Sequence, residues 1–212
     1  MTAQVLIVVH SRSGGSVALA RAIAAGAEQA DGVEVRLARP PEFVPDEEIA
    51  ADPRFGALFA RHVAPLPIAG VDDVRGCDGL VVGGGTRFGS AAAELRAFLE
   101  QLSPLWFSGE LLGRVGAAFA TASSPHGGQV LAVQNTLAAL MHLGLVIVTP
   151  GYAERACHEG GSPYGAVARA GGPQRHQPSD ADLAAAAVLG RRVAAVSALL
   201  AGQRGLVPAG AR

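Results

Sequence analysis

The sequence predicts an α/β fold in which a parallel sheet is covered by helices on both faces. Short runs rich in Val, Ile and Leu alternate along the chain with longer segments in which apolar residues recur at helical spacing. The apolar runs are nearly continuous, which is typical of strands buried on both faces. Because strands and helices alternate, we expect the strands to pair in parallel through right-handed crossovers.

Each element of this fold has its own segment of the sequence. Five apolar runs are expected to form the strands: Val5–Val9, Val33–Leu37, Leu80–Val82, Val115–Ala120 and Leu145–Val148. Four segments are expected to form helices: Ser16–Ala30, Ala91–Leu102, Gln129–Leu143 and Asp180–Ala201, the last with Ser179 as its N-cap. Five strands in this alternation favour a flavodoxin-like, doubly wound five-stranded parallel sheet with the order 2-1-3-4-5.

The length of 212 residues suits one domain with a sizeable core. We expect a single flavodoxin-like domain over residues 1–202 and a flexible tail over residues 203–212. Two stretches, 39–70 and 150–178, are rich in Pro or Gly and show no clear period. Long irregular segments of this kind are commonly functional or lie at subunit contacts.

The composition excludes several classes of function. The 17 basic residues nearly balance the 18 acidic ones, which argues against nucleic-acid binding and a polybasic membrane surface. Every basic residue is Arg, so a Walker P-loop and Schiff-base chemistry are excluded. Cys77 and Cys157 cannot form a disulfide framework, and no apolar run reaches the ~18 residues of a membrane span. Since the N-terminus has no signal-peptide pattern, we expect a cytoplasmic protein.

Chemistry is expected where the strands end, because ligands of an open α/β sheet bind outside the carboxyl ends of its strands. The first loop runs from His10 to Ser16 and offers hydroxyls, glycines and a helix N-terminus. This combination binds phosphate without Lys, although a tight capped turn is the alternative interpretation. Arg12 either adds charge to this loop or faces solvent. The loop is not a GxGxxG fingerprint, which disfavours a dinucleotide-binding domain.

The second loop, Gly83–Ser90, follows the third predicted strand. Its glycines allow the backbone to approach a flat ligand closely. Thr86 offers a hydroxyl, Arg87 a fixed cation, and Phe88 a wall for an aromatic ring. The alternative places Phe88 in the core and Arg87 on the surface.

The third loop, Thr121–Gly128, brings more small polar residues to the same edge of the sheet. It also contains His126, although a lone loop histidine is more typical of the solvated surface. Trp106 is the only tryptophan, and His142 lies near the end of the predicted helix Gln129–Leu143. Taken alone, these two residues are more typical of packing than of a site.

Four motifs in a fixed order carry a resemblance to a known family. They are TRFG at Thr86–Gly89, LWFSG at Leu105–Gly109, GLVIVTPGY at Gly144–Tyr152, and GGSPYGA followed by AGG and QPS. On these motifs the chain resembles the WrbA family of flavodoxin-like, FMN-dependent NAD(P)H:quinone oxidoreductases over roughly residues 4–200.

The resemblance implies a set of site residues. The FMN-binding residues would be Ser11, Arg12, Ser13, Gly14, Gly15 and Ser16 at the phosphate, Thr86, Arg87 and Phe88 along the isoalloxazine, and Ala122, Ser123, Ser124, Pro125, His126 and Gly127 closing over it. His142 of a neighbouring subunit would reach the flavin edge, and Trp106 would wall the substrate pocket. Arg87 and His142 would act in catalysis. The resemblance also implies NAD(P)H and a quinone as substrates and a homo-oligomer, either a dimer or a tetramer.

Three parts of the chain depart from the family pattern. Ser13 stands where the family commonly has a Tyr that borders the flavin and the nicotinamide. Gly84 and Gly85 replace the Thr-Pro pair before TRFG, and residues 122–126 replace a glycine-rich loop.

Three other functions remain open at this point. A flavodoxin-type electron carrier would need a strongly acidic docking face, which the near-neutral charge does not favour. A flavodoxin-like binding or regulatory protein with weak flavin affinity is compatible with the altered loops. A hydrolase would use Ser16, although its surroundings only half resemble a nucleophile elbow.

Overall fold

The computed structural model describes residues 2–152 and 154–201. Along these residues strands and helices alternate, as the apolar runs predict. The elements are β1 (Ala3–His10), α1 (Gly15–Ala27), β2 (Val33–Ala38), α2 (Asp46–Ala50), α3 (Gly56–His62), α4 (Val71–Gly76), β3 (Gly79–Gly85), α5 (Ala93–Glu100), α6 (Ser103–Ser108), β4 (Val115–Ala122), α7 (Gln129–His142), β5 (Val146–Ile147), α8 (Ala156–Glu159), β6 (Ala166–Arg169) and α9 (Asp180–Ala201).

The strands form one parallel sheet in the order β2-β1-β3-β4-β5, which confirms the predicted order. β1 lies between β2 and β3, with Val5 opposite both Val35 and Gly79. The order reverses at β1 and β3, so the loops after these two strands diverge and leave a crevice. The predicted site therefore lies at the switch point of the sheet.

The fifth position of the sheet is shared by two short strands. β5 pairs with Val115 and Gly116 at the start of β4, whereas β6 pairs with residues 119–122 at its end. The sheet thus has six strands rather than the predicted five. β6 is not evident from the sequence, because four residues inside a Gly- and Pro-rich stretch are too few to show a period.

The stretch 39–70 is also more regular than the sequence predicts. It contains α2 and α3, which have five and seven residues. Helices of one or two turns do not repeat an apolar pattern often enough to be recognised. The same reason applies to α4 and α6. The predicted tail, residues 203–212, lies outside the described residues.

Two cores cover the two faces of the sheet. Side chains alternate along β1, so Ile7 faces the core beneath α1 and α9, whereas Val8 faces the core beneath α5 and α7. Both residues are fully buried. This double burial accounts for the continuous apolar runs that predict the strands.

The last helix, α9, is both long and apolar. α9 is long and apolar enough to cross a membrane by length and composition alone, and 44% of its most apolar window is buried within the fold. That buried face packs against α1 and the sheet. The predicted N-cap is confirmed, since the Asp182 N–H donates to Ser179 Oγ (3.2 Å) and the Ser179 N–H donates to the Asp182 carboxylate (3.0 Å).

The contact between α1 and α9 requires two glycines. A Cβ at Gly26 would lie 2.1 Å from the Ala187 carbonyl oxygen, and a Cβ at Gly190 would lie 1.9 Å from the Ile23 carbonyl oxygen. We expect Gly26→Ala to lower the free energy of unfolding by ~1–3 kcal/mol, because the helices must move apart. Thermal unfolding would show a melting temperature lowered by ~2–4 °C for each kcal/mol of lost unfolding free energy.

Gly76→Ala is the matched control for this substitution. Among the described residues, no heavy atom apart from its chain neighbours and its own helix backbone lies within 4 Å of the position of the added Cβ, so the stability of Gly76→Ala is expected to remain close to that of the parent. Equal melting temperatures for the two variants would contradict the close approach of α1 and α9.

Candidate functional site

A polar cleft of about 280 Å³ opens at the carboxyl ends of β1, β3 and β4. It is bordered by three loops, which follow these strands as the sequence predicts. The predicted site residues that line it are Ser11, Arg12, Ser13, Gly15, Ser16, Thr86, Arg87, Ala122, Ser123, Ser124 and Gly127. The structure therefore brings most of the predicted flavin-binding residues together.

The first loop presents the N-terminus of α1 to this cleft. Gly14 is the N-cap, with a φ of 84° that favours glycine, and its N–H donates to Ser11 Oγ (3.0 Å). The first helical hydrogen bond runs from the Ala18 N–H to the Gly14 carbonyl (3.0 Å). The first turn has no acidic residue and no side-chain cap in the described structure. Its amide groups and the helix dipole are thus available to an anion.

Ser16 joins the first and third loops. Its Oγ lies 2.7 Å from Thr121 Oγ1, and both side chains are buried. None of the hydrogen bonds of the described residues links Ser16 to a histidine. The buried, paired hydroxyl disfavours the hydrolase hypothesis, because a nucleophilic serine needs an adjacent base and access to substrate.

The second loop contributes Thr86 and Arg87 to the cleft. The Thr86 N–H donates to the Thr121 carbonyl (2.7 Å), while its buried Oγ1 has no hydrogen-bond partner in the described structure. Arg87 is exposed and donates to the Thr86 carbonyl (3.3 Å). Phe88 has a φ of 50° and is fully exposed, so it is neither in the core nor on the wall of the cleft.

The third loop is held close to β4. A Cβ at Gly127 would lie 2.6 Å from the Ala122 Cβ, and the Gln129 side chain donates to the Ser124 carbonyl (2.9 Å). Pro125 and His126 do not line the cleft. The loop therefore borders the cleft through its small residues.

Arg12 is neither a free charge nor a solvated surface residue. Its guanidinium donates to Glu42 (2.6 Å) and Glu94 (2.8 Å), and only 20% of its side chain is exposed. Both carboxylates also face His10, at 3.6 Å from its Nε2. Burial alone would raise the pKa of Glu42, but the nearby His10 and Arg12 lower it below its ordinary value.

The sequence gives little sign of this network. His10 occupies the last position of β1, and Glu42 and Glu94 belong to other segments, so no motif connects them. Sequence reasoning also missed Gly171 and Gly172, which close one side of the cleft after β6. The only sequence feature that pointed to these two glycines was the AGG motif that contains them.

Trp106 and His142 lie apart from the cleft within one chain. Their rings stack with centroids 5.8 Å apart and an interplanar angle of 20°. They line a separate cavity of about 450 Å³ between α5, α6 and α7. The two rings thus already contact each other, but within a single chain they lie outside the polar cleft.

The cysteines take no part in the cleft. Cys77 and Cys157 are both buried and free. Burial raises the pKa of the Cys77 thiol to about 12, which makes it an unreactive packing residue.

Comparison with known proteins agrees with this geometry. A family model described as NADPH-dependent FMN reductase matches residues 3–157. A Paraburkholderia phymatum protein named NAD(P)H dehydrogenase (quinone) is 41% identical over 205 residues, covering 94% of this chain and 100% of that protein. A Sinorhizobium fredii protein of the same name is 38% identical over 204 residues, covering 94% and 99% of the two chains.

Solved structures show the same fold. The flavodoxin, WrbA-like protein from Agrobacterium tumefaciens has a TM-score of 0.64 at 21% identity, covering 93% of this chain and 99% of that chain. A flavodoxin from the domain Archaea has a TM-score of 0.58 at 18% identity, covering 92% and 99%. These likenesses confirm the flavodoxin-like fold, and the sequence relatives confirm the predicted resemblance. The chain belongs to the NADPH-dependent FMN reductase family.

Proposed function

We propose that this protein is an FMN-dependent NAD(P)H:quinone oxidoreductase. The observation that carries the proposal is the N-terminus of α1, which faces the polar cleft with no side chain capping it in the described structure. A phosphate is the group that best satisfies such a terminus in a chain without Lys. Family membership and the names of the curated relatives support the redox chemistry.

The residues of the cleft fit FMN. Residues 11–16 would hold the phosphate through backbone N–H groups and serine hydroxyls. The unpartnered Thr86 Oγ1 and the backbone of Gly85 offer polar contacts for the edge of a flat ring. FMN, when bound, supplies the hydride and two-electron chemistry of this reaction. The protein orients the ring, excludes water and supplies charge.

Arg87 is the side chain best placed to supply that charge. Its guanidinium forms no ion pair within the described residues, and it borders both the cleft and the neighbouring cavities. A fixed cation there would stabilise negative charge that develops on the ring during reduction. We therefore assign Arg87 a catalytic role.

A homo-oligomer is part of this proposal. Phe88, Leu131 and Met141 expose apolar side chains on the loop after β3 and on α7, a pattern typical of an interface. Assembly would bring Trp106 and His142 of a neighbouring subunit to the flavin edge. There Trp106 would wall the quinone pocket, and His142 would donate a hydrogen bond or a proton to the quinone.

The proposed compartment is the cytoplasm. Both cysteines are free and buried, which is typical of a reducing environment.

A flavodoxin-like FMN-binding, regulatory or electron-carrier protein with weak or no quinone reductase activity is the alternative. The observation that favours it is Ser13, which leaves the first loop without an aromatic face. The net charge of −1 argues against a carrier with an acidic docking face.

Flavin loading and turnover of the purified protein separate these functions. We expect the protein to be yellow with stoichiometric FMN and to oxidise NADH or NADPH with benzoquinone as acceptor. FMN-loaded protein without turnover would support the alternative, and protein that binds no FMN would contradict both.

Arg87→Ala is expected to slow flavin reduction or quinone turnover by roughly tenfold or more, because one charge-assisted contact is lost from the transition state. Its melting temperature should change little, since Arg87 is exposed and makes a single weak hydrogen bond. Arg21→Ala is the control, because it removes an exposed Arg of α1 outside the cleft. A large loss of stability with unchanged turnover would make Arg87 structural.

Ser13→Tyr is expected to lower the NAD(P)H Michaelis constant by about threefold to tenfold, because an aromatic stacking contact adds ~0.5–1.5 kcal/mol. Ser13 also borders a cavity of about 510 Å³ beside Phe55 and Leu58, which leaves room for the ring. Stopped-flow measurement of the two half-reactions should show the gain in reduction by NAD(P)H only.

Ser13→Ala removes the hydroxyl without adding a ring and is the control for this substitution. An unchanged NAD(P)H affinity in Ser13→Tyr, or a gain limited to the quinone step, would show that another group binds the nicotinamide.

A further inference from the structure

A buried cluster of three potential metal ligands lies at the start of the first loop, where His10 also borders the polar cleft, and the proposed reaction assigns it no role. His10 ends β1, Glu42 lies between β2 and α2, and Glu94 lies in the first turn of α5. The His10 Nε2 is 3.6 Å from Glu42 Oε1 and 3.6 Å from Glu94 Oε2. The three side chains are 2%, 3% and 11% exposed.

Arg12 fixes the two carboxylates without blocking this cluster. Its Nη1 donates to Glu42 Oε2 and its Nη2 donates to Glu94 Oε1, so one oxygen of each carboxylate remains directed at His10. In metal sites, a carboxylate that binds the ion through one oxygen often accepts a hydrogen bond on its other oxygen, and that bond orients the carboxylate. Arg12 would have this role here. The cluster is therefore held in place by a neighbour that leaves its ligand atoms available.

The buried imidazole of His10 is a second, independent observation that indicates a bound ligand at this cluster. Both of its ring nitrogens are buried and lack a hydrogen-bond partner within the described residues. The 3.6 Å separations to the carboxylates are too long for hydrogen bonds. Buried polar atoms are nearly always partnered, and Nε2 points between two carboxylate oxygens.

We propose that His10, Glu42 and Glu94 bind one Zn²⁺ ion. Two ligands ~2.1 Å from a tetrahedral zinc lie ~3.4 Å apart, close to the observed 3.6 Å. The three ligand atoms all lie within 4.8 Å of one another. Imidazole nitrogens and carboxylate oxygens are both zinc ligands, and water would complete the fourth position.

The charges also suit a divalent cation. The two carboxylates and the Arg12 guanidinium together carry one net negative charge next to the His10 ring, and the cluster is buried from solvent. Zinc would join the end of β1, the segment after β2 and the start of α5 into one unit. Bound zinc would therefore stabilise the edge of the sheet at the end of β1, directly before residues 11–16.

Calorimetric titration of the chelator-treated, FMN-free protein with Zn²⁺ tests the proposal directly. We expect one Zn²⁺ per chain, and roughly tenfold or greater weakening in Glu94→Gln, which still accepts from Arg12 but lacks the ligating charge. Glu48→Gln removes an exposed carboxylate of α2 and should bind Zn²⁺ like the parent. Equal affinity in Glu94→Gln and the parent would overturn the assignment.

Thermal unfolding of the unsubstituted protein provides a second test that needs no variant. Zn²⁺ at about a hundredfold excess over its dissociation constant should raise the melting temperature by ~5–10 °C. Mg²⁺ at the same concentration should not, because it prefers octahedral oxygen ligands and retains its waters. Absence of saturable Zn²⁺ binding and of this rise in melting temperature would overturn the proposal. Both measurements are made without FMN, so they are independent of the proposed oxidoreductase activity.

Discussion

The amide groups at the start of α1 form the constraint around which the functional edge is built. An α-helix leaves its first N–H groups without internal partners, and here no side chain of the described structure caps them. Gly14 in the left-handed conformation turns the chain so that these groups face the cleft. The close approach of α1 to α9 through Gly26 and Gly190 then fixes the helix on the sheet. Position and polarity of the cleft both follow from this arrangement.

The loops around the cleft are tied to this helix terminus by short polar contacts. The Ser16–Thr121 contact joins the ends of β4 and α1, and the Thr86 N–H to Thr121 carbonyl bond joins the ends of β3 and β4. Arg12 links the first loop to Glu42 and Glu94. Because these contacts are largely buried, they hold the loops around the cleft in fixed positions, which limits the ordering cost of binding a ligand.

Long, strongly patterned features of this protein were predictable from the sequence, and short or non-local ones were not. The apolar run that forms β1 and the 22-residue helix α9 carry a repeated apolar pattern along most of their length. The three loops of the site follow from the rule that parallel strands end at one edge. β6 was not predicted because its four residues lie within a Gly- and Pro-rich stretch and are too few to show a period. His10, Glu42 and Glu94 meet only through tertiary structure, and stacking of Trp106 on His142 is likewise invisible in the sequence.

The affinity of the FMN-free protein for FMN relative to riboflavin tests the central claim most directly. The two flavins share the same ring and differ by the phosphate that the N-terminus of α1 is proposed to hold. Two charge-assisted hydrogen bonds of ~1.5–3 kcal/mol each predict that FMN binds at least about 100-fold more tightly. Equal dissociation constants for FMN and riboflavin would show that this helix terminus does not bind the phosphate and would contradict the account.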